Sequence, residues 1–242
     1  MVSWPTLLLG TLAVFVGALT QGATGIGFGM VAAPVLMMIN PLLVPGTPLV
    51  LAMLVSCLIT IREWRSVDWS GVSIAMIGRL LGTALATATI AAIPTPVYGL
   101  VFGLMIIAAV LLSTMGLRAS PSARNLVAAG LASGYMGTLT SIGAPPMALV
   151  YQHQSGSVIR ATLAMFFSLG AAVSIMALVT IGSFTLDQLL ISLALLPALV
   201  LGFKISSWMV SRVQDRLVRY AVLSICTLSA LILIAKSLLR AL

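Results

Sequence analysis

Residues 130–151 read GLASGYMGTLTSIGAPPMALVY, and residues 17–36 carry a weaker echo, GALTQGATGIGFGMVAAPVL. In both, an apolar segment gives way to Gly, Thr and Ser where hydrocarbon is expected to surround it. Each then passes a proline into a short apolar run. Backbone that stops being helical inside a bilayer must be buried in protein or line a polar cavity. Two such breaks, one in each half of a chain, point to a substrate site built from discontinuous helices, as in secondary transporters.

Composition fixes the class. Of 242 residues 61% are apolar and 7% charged, against about 25% charged in a soluble domain. The mean hydropathy is +1.21. This is the profile of an all-α integral membrane protein with almost no extramembrane domain. Twelve Lys and Arg against four acids set a net charge of +8. In a soluble chain that excess would suggest nucleic acid. Here the cations sit in short loops between apolar spans, where they orient the protein in the bilayer, and no nucleic-acid partner is expected. Cys57 and Cys226 fall in apolar spans and form no metal or redox pair. No metal and no cofactor is expected. The N-terminus lacks a basic n-region, so its first apolar run reads as a retained helix rather than a cleaved signal.

A spanning helix needs about 20 mostly apolar residues. Apolar segments occupy residues 4–20, 24–39 (short), 49–61, 71–93 and 96–115. After a polar linker at 116–125 come 126–140, 143–151 (short), 161–181, 188–208 and 221–239. Five segments, a linker and five segments suggest two repeats, 1–117 and 118–242, each with a short or broken second segment. Overlaid glycine on glycine, the halves place Gly22 on Gly134, Gly25 on Gly137 and Pro34 on Pro146.

Loop charge orients them. Arg62 and Arg65 follow segment three, Arg118 and Arg124 segment five, Arg160 segment seven, and Arg212, Arg216 and Arg219 segment nine. The loops of the other face hold only Asp187, with Lys236 and Arg240 in the tail as exceptions. The positive-inside rule puts the Arg-bearing loops in the cytoplasm. Both termini are then outside, the halves are inverted, and half-helices meet near the midplane. The expected location is multi-pass in the inner (plasma) membrane. Trp4, Trp64, Trp69 and Trp208 near segment ends read as interfacial anchors.

The breaks offer Gln21, Thr24, Thr138, Thr140 and Ser141 as side-chain donors, beside backbone N–H groups freed around Gly22, Gly25, Gly27, Gly137 and Gly143. Pro34, Pro145 and Pro146 are expected to end the breaks, since they lack the N–H of a continuous helix. A half-helix N-terminus presents free N–H groups and a positive dipole end, which suits an anion. The alternative is close helix packing through small residues.

Arg79 is the sharpest single residue. It lies about 13 Å into its segment at 1.5 Å per residue, and an unpaired Arg at that depth costs about 2.5–3.5 kcal/mol or more. It is expected to face the bundle interior and meet an anion, broken-helix carbonyls or water. Glu63, Asp68, Asp187 and Asp215 all fall in or beside loops, so no buried carboxylate is expected to bind sodium or relay protons. His153, the only histidine, and Arg160 flank the turn after the short segment, where they would gate the site or attract anions. No catalytic or P-loop motif is present, and no enzyme activity is expected.

These residues resemble the TauE/SafE family of sulfite exporter-like membrane permeases. The likeness rests on Gly134–Gly137, then Gly143-Ala144-Pro145-Pro146, then Arg160-Ala161-Thr162-Leu163. In the first half it rests on Gly22, Gly25-Ile26-Gly27-Phe28-Gly29 and Pro34. Ala144 stands where the family pattern usually has another glycine, and Phe28 interrupts its glycine run. The resemblance spans essentially the whole chain. It implies transport of a small sulfur-containing anion: sulfite, thiosulfate, or an organosulfonate such as sulfoacetate. With no buried carboxylate for coupling, export by alternating access is the expected mode. The alternatives are an uptake permease for another small organic anion or neutral metabolite, and a non-transporting membrane scaffold or biogenesis factor.

Overall fold

The computed structural model describes residues 4–115, 119–209 and 215–241. The side chains of Trp4, Asp215, Arg216, Arg219 and Arg240 lie outside the described residues. So do Arg118, Arg212 and the 117/118 boundary.

Ten α-helices account for the described chain, which contains no strand. They are α1 (Trp4–Thr24), α2 (Phe28–Ile39), α3 (Gly46–Glu63), α4 (Trp69–Ala92), α5 (Thr95–Thr114), α6 (Ala123–Thr140), α7 (Ala144–Tyr151), α8 (Gly156–Thr180), α9 (Leu186–Met209) and α10 (Asp215–Ala241). Among the described residues α3, α4, α5, α8 and α9 are long and apolar enough to cross a membrane, so the protein is multi-pass. α2 has 12 residues and α7 has 8. At 1.5 Å per residue they reach about 18 and 12 Å, short of the ~30 Å hydrocarbon core.

Exchanging each helix with the one five places on relates the main pairings. α4 packs on α6 and α9 on α1; α4 on α8 and α9 on α3; α2 on α10 and α7 on α5. α3 pairs with α8 and α5 with α10. The tightest of these contacts, α4 on α6, has a readable cause. Gly78 and Gly82 face Gly130 and Gly134, two Gly-x-x-x-Gly spacings that bring backbones together in a membrane. A Cβ on Gly78 or Gly82 would collide with the Val127 or Leu131 carbonyl, and one on Gly130 or Gly134 with that of Ala75 or Arg79.

The breaks are shorter than the sequence suggests. α1 stays helical through Thr24 and α6 through Thr140, leaving only residues 25–27 and 141–143 outside helices. Gly, Ser and Thr lower helix propensity in water, but here close packing and internal bonds offset that loss. Pro34 does not end a break. It sits inside α2, where the N–H it lacks leaves the Met30 carbonyl free. Cys226 Sγ donates to that carbonyl at 2.9 Å, which gives the buried cysteine a role beyond filling space.

Candidate functional site

The two breaks are built alike. Thr24 Oγ1 donates to the Thr20 carbonyl (2.9 Å) and accepts from Ile26 N–H (3.3 Å). Thr140 Oγ1 donates to the Met136 carbonyl (2.7 Å) and accepts from Ile142 N–H (3.2 Å). The next residue is left-handed in each, Gly25 at φ 85° and Ser141 at φ 64°. Such a conformation costs a serine about 1–2 kcal/mol; the Ser141 hydroxyl, donating to the Pro45 carbonyl at 3.0 Å, helps hold it. The structural correspondence is therefore Thr24-Gly25-Ile26-Gly27 on Thr140-Ser141-Ile142-Gly143. The glycine-on-glycine overlay is four residues out of register, because it matched composition rather than the helix ends.

The breaks touch. A Cβ on Gly29 would run into the Ser141 carbonyl. Around this contact lies a cavity of about 40 Å³. Gln21, Gly27, Gly29 and Met30 line it from the first break, and Gly137, Ser141, Ile142, Gly143 and Ala144 from the second. α3 adds Leu49 and Ala52, α8 adds Phe167 and Ala171, and α4 adds Arg79. The volume holds about three waters, or one compact oxyanion.

The remaining expected residues stand elsewhere. Thr24 and Thr140 spend their hydroxyls on their own turns. Thr138 Oγ1 is bonded to Thr83 (3.2 Å) and Ser174 (2.8 Å) beside the cavity. Gly22 packs on Ser206 of α9, and Gly25 on the Arg160 backbone. Pro145 and Pro146 occupy the first turn of α7, so they remove two of the N–H groups expected at that terminus. Those that remain matter more. Gly29, Met30, Gly143 and Ala144 carry backbone N–H groups with no acceptor among the described residues, all at the cavity wall.

Arg79 is 2% exposed. Its Nη1 donates to Ser133 O (3.1 Å) and Ser133 Oγ (3.2 Å), and its Nη2 to Ser174 Oγ (3.2 Å). The guanidinium lies 5.5 Å from the centroid of the Phe166 ring. Ser133 Oγ in turn donates to the Gly143 carbonyl at 2.6 Å, so Arg79 is tied to the second break through a hydroxyl. Its Nε is buried with no partner among the described residues. No carboxylate pairs with it: the ion pairs among the described residues all involve Glu63. A charge buried without a counterion costs several kcal/mol, a cost that a bound anion would relieve. Gly170 makes the room, since a Cβ there would lie 2.6 Å from Arg79 Nε.

Ser133, Ser174 and Gly170 were not singled out in the sequence. Gly170 and Ser174 share one face of α8, a signal that was present but lost among many small residues.

Arg160 is not free. Its Nε lies 3.0 Å from both Glu63 carboxylate oxygens and its Nη2 3.0 Å from one of them. Arg62 pairs with the same carboxylate at 2.8 Å and donates to the Gly22 carbonyl at 2.8 Å. His153 is exposed in the turn after α7, away from the cavity. Among the described residues no group of His, Cys, Asp or Glu is arranged to hold a metal.

A cavity between two broken helices, holding an unpaired buried arginine, is the geometry that the family comparison meets. The family model for the sulfite exporter TauE/SafE matches residues 9–233. The chain belongs to the TauE/SafE family. TauE/SafE is a family of membrane transporters of sulfite-type anions. No curated protein and no solved structure matches the chain.

Proposed function

We propose that this TauE/SafE protein is a permease for a small sulfur-containing anion, which it holds in the cavity between the two breaks. The observation that carries the reading is Arg79: a buried guanidinium with no counterion among the described residues, at a cavity wall lined by residues whose backbone N–H groups have no acceptor there. The anion sits against the Arg79 guanidinium, with its oxygens on the Gly143 and Ala144 N–H groups. Ser133, Ser174 and Thr138 hold Arg79 and the break in place rather than binding substrate themselves. A compact anion such as sulfite or thiosulfate suits the cavity of about 40 Å³ better than sulfoacetate does.

The two halves, 1–117 and 118–242, are inverted repeats in the inner membrane with both termini outside. The paired helix contacts and matching breaks support this, as does the loop-charge asymmetry. Transport proceeds by one half rocking against the other, with the Arg62–Glu63–Arg160 cluster closing the cytoplasmic side. An inside-negative potential is worth about 2.3 kcal/mol per charge per 100 mV and drives anions outward, so export needs no coupling ion.

Labelled sulfite, thiosulfate and sulfoacetate in proteoliposomes test this under potassium-diffusion potentials of either sign. Saturable flux of a small anion that reverses with the potential is expected. Absence of flux for all three, from folded protein, would overturn the proposal.

A further inference from the structure

The two half-helix termini are built on the same turn yet differ in what fills them. Gly25 N–H donates to the Gln21 carbonyl at 2.7 Å and Ser141 N–H to the Gly137 carbonyl at 2.8 Å, so Gln21 and Gly137 hold equivalent positions. Gln21 is 4% exposed. Its Oε1 accepts from Phe28 N–H at 3.1 Å, the first N–H of α2, and its Nε2 donates to Ser56 Oγ at 2.7 Å. At the second terminus there is no side chain to do this. A Cβ on Gly137 would lie 3.0 Å from Arg79 Nη1 and 3.3 Å from Nη2, so the guanidinium stands near where that side chain would be. Ala144 N–H, the counterpart of Phe28 N–H, has no acceptor among the described residues.

One terminus thus carries a built-in oxygen acceptor, held in orientation by Ser56. The other carries a cation and an open donor. We propose that Gln21 is a specificity-determining residue: its amide oxygen takes the place of an anion oxygen on α2. It thereby confines the substrate to the Arg79 side and bars anions with a second charged end. This deepens the permease reading and rests on it. Without Gln21 the cavity extends to the α2 terminus, whose Phe28, Gly29 and Met30 N–H groups then suit the carboxylate of a two-headed anion.

The test compares kcat/KM for sulfite and sulfoacetate in proteoliposomes of the full chain. Gln21→Ala is expected to shift the ratio towards sulfoacetate by about tenfold or more, the range a small change in pocket size produces. Gln21→Glu preserves shape and the acceptor for Phe28 N–H but adds a negative charge. It is expected to weaken transport of both anions by about tenfold or more, and it keeps the proposal testable if Gln21→Ala does not fold. An unmoved ratio in a folded, transporting Gln21→Ala protein overturns the inference, and so does wild-type transport by Gln21→Glu. Wild-type flux alongside either result leaves the permease reading standing. If wild-type protein moves none of sulfite, thiosulfate and sulfoacetate, that reading fails and takes the inference with it.

Discussion

Arg79→Gln is expected to abolish most saturable anion flux while leaving the fold intact. Removing one partner of a desolvated charge pair costs about 2–5 kcal/mol. At 1.4 kcal/mol per tenfold, flux at limiting anion falls roughly thirty- to four-thousand-fold. The fold survives because no acceptor is stranded. Ser133 Oγ keeps its bond to the Gly143 carbonyl and Ser174 Oγ its bond to the Gly170 carbonyl. Losing an uncompensated buried charge also offsets the lost hydrogen bonds. The thermal midpoint is expected to stay within about 4 °C, the shift that ~1 kcal/mol produces at this chain length. A purely structural arginine predicts the reverse, a large fall in midpoint with flux per folded molecule retained. Flux and thermal unfolding on the same preparation separate the two.

Gly130→Leu is expected to break the bundle itself. Its side chain would enter α4 at the Ala75 carbonyl, where backbone has no rotamer to yield. Overpacking a core costs about 1–3 kcal/mol when neighbours can shift; here two helices must part, and more than about 3 kcal/mol is expected. That is a fall of about 6–12 °C or more in thermal midpoint. Flux is lost with it, because Arg79 reaches α6 from between Gly78 and Gly82 on the same contact. Alanine provides the matched comparison. Gly130→Ala still collides, whereas a Cβ on Gly10 makes ordinary 3.6 Å contacts with Leu36 and Ile39. Gly10→Ala is therefore expected to be neutral or slightly stabilising, since alanine favours a helix by about 0.5–1 kcal/mol over glycine.

Much of this architecture was legible because hydrocarbon imposes simple rules on sequence. Apolar length located the ten helices to within about six residues at either end, and the two short segments marked α2 and α7. The positions of the breaks were less legible. Glycine and threonine signalled them, but in a membrane the same residues also serve packing. The structure keeps Gln21–Thr24 and Gly137–Thr140 helical, and breaks the chain only where a residue turns left-handed. Proline misled in one case: Pro34 is tolerated mid-helix because Cys226, far away in the chain, reaches the Met30 carbonyl. Arg79 stood out by depth alone. Its company of Ser133, Ser174 and Gly170 comes from two other helices and could not be read from local pattern. The pairing of Arg160 with Glu63 likewise depends on how α3 and α8 meet, so the charge of Arg160 read as freer than it is.

The permease reading requires an anion beside Arg79, between the two breaks. Selenite, the selenium counterpart of sulfite, tests it by anomalous diffraction from crystals of the full chain, whose methionines carry sulfur and contribute no selenium signal. One selenium peak is expected in the cavity, beside the Arg79 guanidinium and with its oxygens within hydrogen-bond distance of the Ala144 N–H, and no such peak in Arg79→Gln. A cavity without selenium at saturating selenite, or a peak only at the Arg62–Glu63–Arg160 cluster, would contradict it.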